Sequence, residues 1–305
     1  MSVGCRGSRG FILVVVMFIS VLILSAATSL AWFARLEMRR VSDEEFAMVS
    51  RSLVDVVCIK VAGWIAGDGN EYDSKLEQLY SGEIPLSLSF NDWNVIIKIT
   101  PLDSQFSING IFLPDGMTLR NEYEYPWGRI WTRLDAILLS PVILDFLDRD
   151  NVPRPGSREE DFFLNRKISD MSELLNLPEV TPRILYEDVS DGIAIDTFFT
   201  IYTDDKININ LATEQVLSVL DPQIDVGVIN SIMMFRAAEN IKNNKDLIRI
   251  PGFPVSATAR LNNVIGYKSN YFAIDIKVEH ANSERNFKIF LKRSGDTCQI
   301  INWRE

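Results

Sequence analysis

The chain has 305 residues, 47% of them apolar, with 41 acidic against 31 basic side chains and a net charge of −10. So acidic a chain is a poor partner for nucleic acid or anionic lipid, which are bound through an excess of Lys and Arg. A single histidine argues against a His-based metal centre or a Ser-His-Asp enzyme, and the length leaves room for two folded modules beside an anchor.

Residues 8 to 34 read SRGFILVVVMFISVLILSAATSLAWFA, and no charge occurs from Phe11 to Ala34. At about 1.5 Å per residue these 24 positions span about 36 Å as a helix, enough for a hydrocarbon core of about 30 Å. A short polar leader with Arg6 and Arg9 precedes them and ends in Gly10. Three readings compete. A cleavable secretory signal has a shorter apolar core followed by small residues, and Ala26-Ala27-Thr28 keeps that reading open. A plain signal anchor is the second. The third is a prepilin-like signal cut between Gly10 and Phe11, and Arg9-Gly10-Phe11 resembles that junction. Charge on the two flanks decides little, because Arg35, Arg39 and Arg40 follow the segment. The short leader favours a cytoplasmic N-terminus with the bulk outside.

No Pro or Gly interrupts the pattern until Gly63, so the helix is expected to continue to about residue 66. Its apolar positions, among them Leu36, Val41, Phe46, Val54, Val57, Val61 and Trp64, are too dense for one stripe and predict packing along much of its length. Gly67-Asp68-Gly69-Asn70 ends it. Residues 71 to 92 read as irregular, with a short polar helix at Asp73–Tyr80. Trp93–Thr100 reads as a strand, and Phe106–Asn109 as a short extended piece after a turn at Asp103-Ser104-Gln105.

From 111 to 265 the chain is helix and loop. Helices are expected over Trp127–Leu147, with Ile137 and Leu138 on the apolar side and Pro141 splitting the run in two. Others are expected at Asp170–Leu177, Pro182–Val189, Thr213–Leu220, Val226–Asn240, Lys245–Ile250 and Ser256–Val264, with a strand-like run at Phe198–Tyr202. The end turns β again: Tyr271–His280, Arg285–Arg293 and Gln299–Trp303 alternate and are separated by turn residues. His280 falls on the first of these and reads as a surface strand histidine. Of the three cysteines, Cys5 lies in the leader; Cys58 and Cys298 remain, read as two separate buried thiols, with a bridge left open.

Three stretches carry possible chemistry. Asp148, Asp150, Glu159, Glu160 and Asp161 lie on a loop that also holds Pro153, Pro155 and Gly156. Calcium takes about 6–8 oxygens at roughly 2.3–2.6 Å, and these carboxylates supply several if the loop folds back. The spacing is not that of an EF-hand, and a solvated acidic loop at a helix end is the bland alternative. Ile207-Asn208-Ile209-Asn210 precedes the Thr213–Leu220 helix, where an Asn can cap free amides. Leu247-Ile248-Arg249-Ile250-Pro251-Gly252-Phe253 is the turn of a helix–hairpin–helix unit, but Glu239 and Asp246 sit among its lysines, and no DNA contact is expected.

Together these stretches resemble the GspK family, the large minor pseudopilins of type II secretion. The acidic segment, Asp148-Arg149-Asp150 through Pro155-Gly156 to Glu159-Glu160-Asp161-Phe162-Phe163, is similar to that family's acidic and aromatic loop, with Phe for the usual Tyr and a shorter run before Asn165. Asn208, Asn210, Val216 and Leu217 match a second family pattern, where Leu211 and Thr213 depart from Thr and Pro. Val15 stands where mature pilins carry a Glu, an absence that is a habit of this family. The resemblance implies an α+β fold: a long N-terminal helix packed on a small antiparallel pilin-like sheet, with a large inserted helical domain. It divides the chain into a leader (1–10), a transmembrane and assembly helix (11–66), a first β part (67–110), the helical insert (111–265) and terminal strands (266–305). It implies processing by prepilin peptidase between Gly10 and Phe11, N-methylation, a single pass through the inner membrane with most of the chain in the periplasm, and bound calcium. Leader removal would leave 29 basic against 41 acidic residues, a net charge of −12. The implied role is that of pseudopilus tip subunit, joining the minor pseudopilins GspI and GspJ to start assembly and support export across the outer membrane. A tip subunit of a type IV pilus or DNA-uptake pseudopilus is the alternative. An enzyme is not expected: there is no nucleophile with a partnered base, no Gly-rich phosphate loop and no His cluster.

Overall fold

The computed structural model describes residues 8–81, 86–90, 92–186, 193–204 and 206–305; Cys5, Arg6 and the end of the expected 182–189 helix lie outside these. Helix α1 runs unbroken from Ser8 to Ala66, about 88 Å at the standard rise. Strands β1 (Leu86–Phe90) and β2 (Trp93–Pro101) follow, then β3 (Phe106–Ser107). The helical part holds α2 (Asn121–Arg133), α3 (Leu139–Leu147), α4 (Pro182–Tyr186) and α5 (Ile195–Phe198). It continues through β4 (Phe199–Thr200), β5 (Ile207–Asn208), α6 (Glu214–Leu220), α7 (Val226–Ala238), α8 (Asn244–Arg249), α9 (Val255–Leu261) and β6 (Ile265–Gly266). Strands β7 (Tyr271–His280), β8 (Ser283–Ser294) and β9 (Thr297–Arg304) close the chain. The fold is thus α+β, with a long N-terminal helix and a five-stranded antiparallel sheet in the order β1-β2-β7-β8-β9.

Helix and sheet share one core. Val54, Val57, Cys58, Val61 and Ile65 of α1 pack on Val95, Ile97, Ile99, Ile274, Ile276, Phe287 and Ile289. The strand residues are every second position, so period two turns them all to one face, and Ile276 pairs across to both Ile97 and Phe287. At the helix's entry onto the sheet, Phe46 stacks on Trp93 at 5.4 Å and Trp93 on His280 at 4.4 Å. His280 is therefore half-buried under an aromatic ring, on the predicted strand. Cys58 and Cys298 are both free, and burial pushes the Cys58 thiol up to about 12.

The long helix departs from expectation in its packing. Every residue from Phe11 to Glu45 is exposed, and the buried positions from Phe46 onward form a single stripe: 46, 50, 54, 57, 58, 61 and 65. Val41, Met48, Val56 and Ile59 are exposed on the side turned from the sheet.

Elsewhere tertiary contacts overrule local pattern. The expected helix at Asp73–Tyr80 is a series of turns. There Glu77 accepts from the Ser74 amide at 2.8 Å, and Ser74 Oγ donates to Asn240 at 2.5 Å. Residues 86–90, expected to be irregular, form the edge strand β1. The Trp127–Leu147 run does break in two, but at Asp135, whose φ of 50° ends α2, not at Pro141. Pro141 sits in the first turn of α3, where its missing N–H has no helical partner to lose. Ile137 and Leu138, expected on the apolar side, lie in that break and are exposed.

The second core belongs to the helical part and runs from Phe106 to Ile265, with Trp127, Trp131 and Phe199 packed on one another. A buried polar network joins the two cores. Asp73 and Arg293 are ion-paired and almost wholly enclosed, and the same guanidinium donates to the Ser269 and Ile65 carbonyls. Asn208 Nδ2 donates to Asp73 O at 2.9 Å and Ser269 Oγ at 3.0 Å. The Asp103 carboxylate accepts from Asn270 N and Tyr271 N, both at 2.8 Å, and from Thr203 Oγ1 at 2.9 Å. Replacing Arg293 by Met strands the Asp73 carboxylate without its charge partner, so denaturant unfolding of the detergent-solubilised chain should show a loss of about 3–5 kcal/mol; the double change Asp73→Leu with Arg293→Met should recover much of it.

Candidate metal centre

Helix α3 is apolar on most of its surface and buries Val142, Ile143, Phe146 and Leu147. Asp145 and Asp148, three residues apart and therefore on one face, are carried inward with it and are fully buried. The chain then turns back through Pro153, Pro155 and Gly156, the last at a φ of 84°. That return inserts Arg154 between the two carboxylates. Its backbone N–H donates to Asp145 Oδ2 at 2.9 Å, and its guanidinium donates to Asp145 Oδ1 at 2.6 Å and to Asp148 Oδ2. The guanidinium also lies 5.5 Å from the Phe112 ring centre.

The same return brings three carboxylates together. Asp148, Asp150 and Glu159 each present an oxygen, and these oxygens lie within 4.8 Å of one another. Glu160 and Asp161, the other two carboxylates of the expected set, lie outside this group: Glu160 pairs with Arg158 at 3.2 Å, and Asp161 is exposed. Asn165 joins the region instead, with its backbone N–H on Phe146 O and its amide on Asn151 Oδ1 at 2.6 Å.

Asp148 Oδ1, Glu159 Oε1 and Asn165 Oδ1 are buried and have no hydrogen-bond donor. A buried acceptor left unmatched costs about 1–3 kcal/mol, and more when charged. The Asp148 and Glu159 oxygens belong to the converging group and are open to a cation. All the available donors are hard oxygens, the set that suits calcium rather than a thiolate- or imidazole-seeking metal. Asp148, Asp150 and Glu159 would hold such an ion, with water or carbonyls completing it.

Two of the three converging carboxyls are held above their ordinary range. Burial pushes the Asp148 carboxyl up, opposed by Arg154. Burial also pushes Glu159 up, helped by the negative charges of Asp145, Asp148 and Asp150. Asp103, at the module junction, is pushed up to about 6 by burial.

The other motifs resolve structurally. Thr213, not an asparagine, caps α6, its Oγ1 accepting from Val216 N. The expected capping by Asn208 or Asn210 fails because both side chains are buried and engaged elsewhere: Asn210 exchanges two hydrogen bonds with the Ile241 backbone. Arg236 donates to the Ile209 and Ala212 carbonyls at 2.9 and 2.6 Å. In the 247–253 turn, Leu247, Ile250 and Phe253 are buried, and Arg249 pairs with Glu239 and Asp246. The residues that sequence reading missed at the centre are Asp145 and Arg154. The three-residue spacing of Asp145 and Asp148 was the available signal for the first; nothing local marked the second.

At the N-terminus, Gly10 lies in the first turn of α1, and Phe11 begins the exposed stretch. Among the described residues, α1 alone is long and apolar enough to cross a membrane. One apolar helix, an antiparallel sheet packed on its second half and a helical insert with an acidic centre define a pilin-like α+β architecture. Solved structures narrow it. A chain of the GspK-GspI-GspJ complex from the enterotoxigenic Escherichia coli type 2 secretion system superposes with a TM-score of 0.60, covering 87% of this chain and 98% of that one, at 14% identity. The fold is GspK-like. No family model matches the chain, and no curated protein does.

Because the Asp148, Glu159 and Asp103 carboxyls are held above their ordinary values, the folded state favours their protonated forms. Their contribution to stability is complete below about pH 4 and is lost as pH rises through the raised values. The metal-free protein should therefore melt at a lower temperature at pH 7.5 than at pH 5 in the same salt, and Glu159→Gln should shrink that difference.

Proposed function

We propose that this chain is a minor pseudopilin that forms the tip of a type II secretion pseudopilus. The observation that carries the reading is the division of α1: its first half is a bare apolar rod, and only its second half packs on a folded head. A rod of this kind needs lipid or other helices around it, since 35 consecutive exposed positions from Phe11 to Glu45 include the most apolar stretch in the chain. In this reading Phe11 to Ala34 crosses the inner membrane, and the head lies in the periplasm. The exposed Val41, Met48, Val56 and Ile59 face partner helices, where association rests mainly on van der Waals packing.

Val15 bears on the position in the filament. A buried carboxylate in lipid needs a partner, and a subunit with Val there needs no neighbour's N-terminus beyond it. The helical insert makes the head broad and suits a subunit that ends a stack. Two small minor pseudopilins of the GspI and GspJ kind are the proposed partners, and prepilin peptidase the processing enzyme. The role is structural, with no catalysis and no nucleic-acid ligand. Calcium at Asp148, Asp150 and Glu159 would hold the 148–165 loop closed by neutralising the carboxylates that Arg154 leaves unpaired.

The deciding experiment is mass spectrometry of the protein extracted from membranes. A mature chain beginning at N-methylated Phe11 is expected. A chain still beginning at Met1, or one beginning after Ala27, would sink the assembly role. A tip subunit of a type IV pilus or DNA-uptake pseudopilus would be processed identically, and secretion of exported proteins in a deletion strain separates the two. For the cation, addition of calcium to chelator-treated protein at pH 7.5 should raise the melting temperature by several degrees, because a ligand at about a hundred times its Kd contributes about 2.7 kcal/mol. Glu159→Gln should remove most of that rise, and acidification to pH 5 should diminish it, since the ion competes with protons for the same oxygens.

A further inference from the structure

A cleft of opposite character is lined by the two chain neighbours of Asp148, Leu147 and Arg149. It has a volume of about 570 Å³ and sits between residues of the 108–120 segment and Leu147, Arg149, Arg166 and Lys167, within the range of about 300–1,000 Å³ usual for ligand sites. Four cations line it: Arg120, Arg149, Arg166 and Lys167. None of its described lining residues is acidic, in a chain where acidic residues outnumber basic ones by 41 to 31. Its apolar wall includes Phe112 and Leu113.

Two of the cations are already engaged outside the cleft. Arg166 pairs with Glu173 at 2.8 Å, and Arg120 approaches Glu122 at 3.8 Å. Arg149 and Lys167 are exposed and have no carboxylate partner among the described residues. Both the backbone and the side chain of Arg149 lie against Gly116. Its N–H donates to Gly116 O at 3.1 Å, and its side chain lies directly over Gly116, whose φ is 75°. A Cβ at position 116 would come within 2.6 Å of the Arg149 Cδ. The positive φ of the turn favours glycine there, and a Cβ would push the Arg149 side chain aside. Concave walls bearing one sign of charge concentrate the field and attract counter-charge.

We propose that this cleft is a docking site for an acidic polypeptide segment, with a partner's carboxylates taken by Arg149 and Lys167 and an apolar side chain beside them resting on Phe112 and Leu113. The mixed wall favours a peptide over a free oxyanion: guanidinium and ammonium groups meet the charge, and a bare phosphate would leave the apolar wall wet. The site does not require the secretion reading, since it depends only on this chain's own surface.

The test uses the full chain in an uncharged detergent and a fluorescein-labelled peptide of alternating Glu and Leu, read by fluorescence polarisation at low salt. Binding should weaken at least about tenfold for the matched Gln–Leu peptide and for the double variant Arg149→Glu with Lys167→Glu. Lys98→Glu, on the outer face of the sheet, should leave it unchanged. Gly116→Ala keeps every charge but displaces Arg149, and should weaken binding about threefold or more; it serves as the second variant if the double variant melts abnormally. Equal binding of the Gln–Leu peptide, an unaltered affinity in both cleft variants, or no binding of the acidic peptide at millimolar concentration would overturn the proposal. Displacement of the acidic peptide by inorganic phosphate at concentrations where added chloride has no effect would reassign the cleft to a small oxyanion and likewise overturn it.

Discussion

The buried pair of Asp73 and Arg293 holds the molecule's parts in register. Two charges taken out of water are tolerated only when their remaining donors and acceptors are also matched. Here much of the matching comes from three elements, the Ile65 carbonyl near the end of α1, the Ser269 backbone at the exit of the helical part, and the Phe272 ring 5.0 Å below the guanidinium, while Asp73 Oδ1 and Arg293 Nε are buried without a hydrogen-bond partner among the described residues. Asn208 ties the same site to the helical core, and Asp103 ties the end of β2 to the start of β7. The helical part enters and leaves the sheet within this one polar knot, so its orientation on the rod is set by hydrogen-bond geometry, which is directional, as apolar packing is not.

The acidic centre obeys the same rule with a different outcome. Asp145 is matched by Arg154, and so is one oxygen of Asp148, but the group has more carboxylate than a single guanidinium can serve. The unmatched oxygens of Asp148 and Glu159 are the remainder. Both polar clusters keep unmatched buried atoms, Asp73 Oδ1 and Arg293 Nε in one, Asp148 Oδ1 and Glu159 Oε1 in the other, and in the second they belong to converging carboxylates. Arg149, next in sequence to Asp148, projects to a cleft of the opposite charge. Any ion that orders the loop at 148 would also steady the backbone that carries that arginine, a physical link between the two surfaces.

Much of the architecture was legible because it is written in local period. The uncharged run from Phe11 to Ala34, the alternation from Tyr271 to His280 and the Asp-Arg-Asp at a helix end need no distant partner to be recognised, and the strand at 271–280 has those bounds in the structure. Two of the three failures share one cause. Asp73–Tyr80 has helix-forming composition, but Asp73 is held by Arg293 from 220 positions away. Pro141 looks like a break but lies in a first helical turn. Asn208 looks like a cap but is enclosed by Asp73 and Ser269. For Asp73 and Asn208 a contact made across the fold outweighed a preference of a few tenths of a kcal/mol to about 1 kcal/mol; at Pro141 the helix had already ended at Asp135.

The sequence by itself determined the long helix, its lipid-compatible first half, the terminal antiparallel strands and the acidity of the 148–161 loop, because each follows from residue type at a fixed spacing along the chain. Only the tertiary structure decided which stripe of α1 is buried, which three of five carboxylates converge, and that Arg154 enters between Asp145 and Asp148 while Arg149 lines a separate cleft. Those outcomes depend on where the chain returns after Gly156 and on which side chain arrives first at a buried charge. That is a matter of three-dimensional distance and desolvation, which no spacing along the chain encodes.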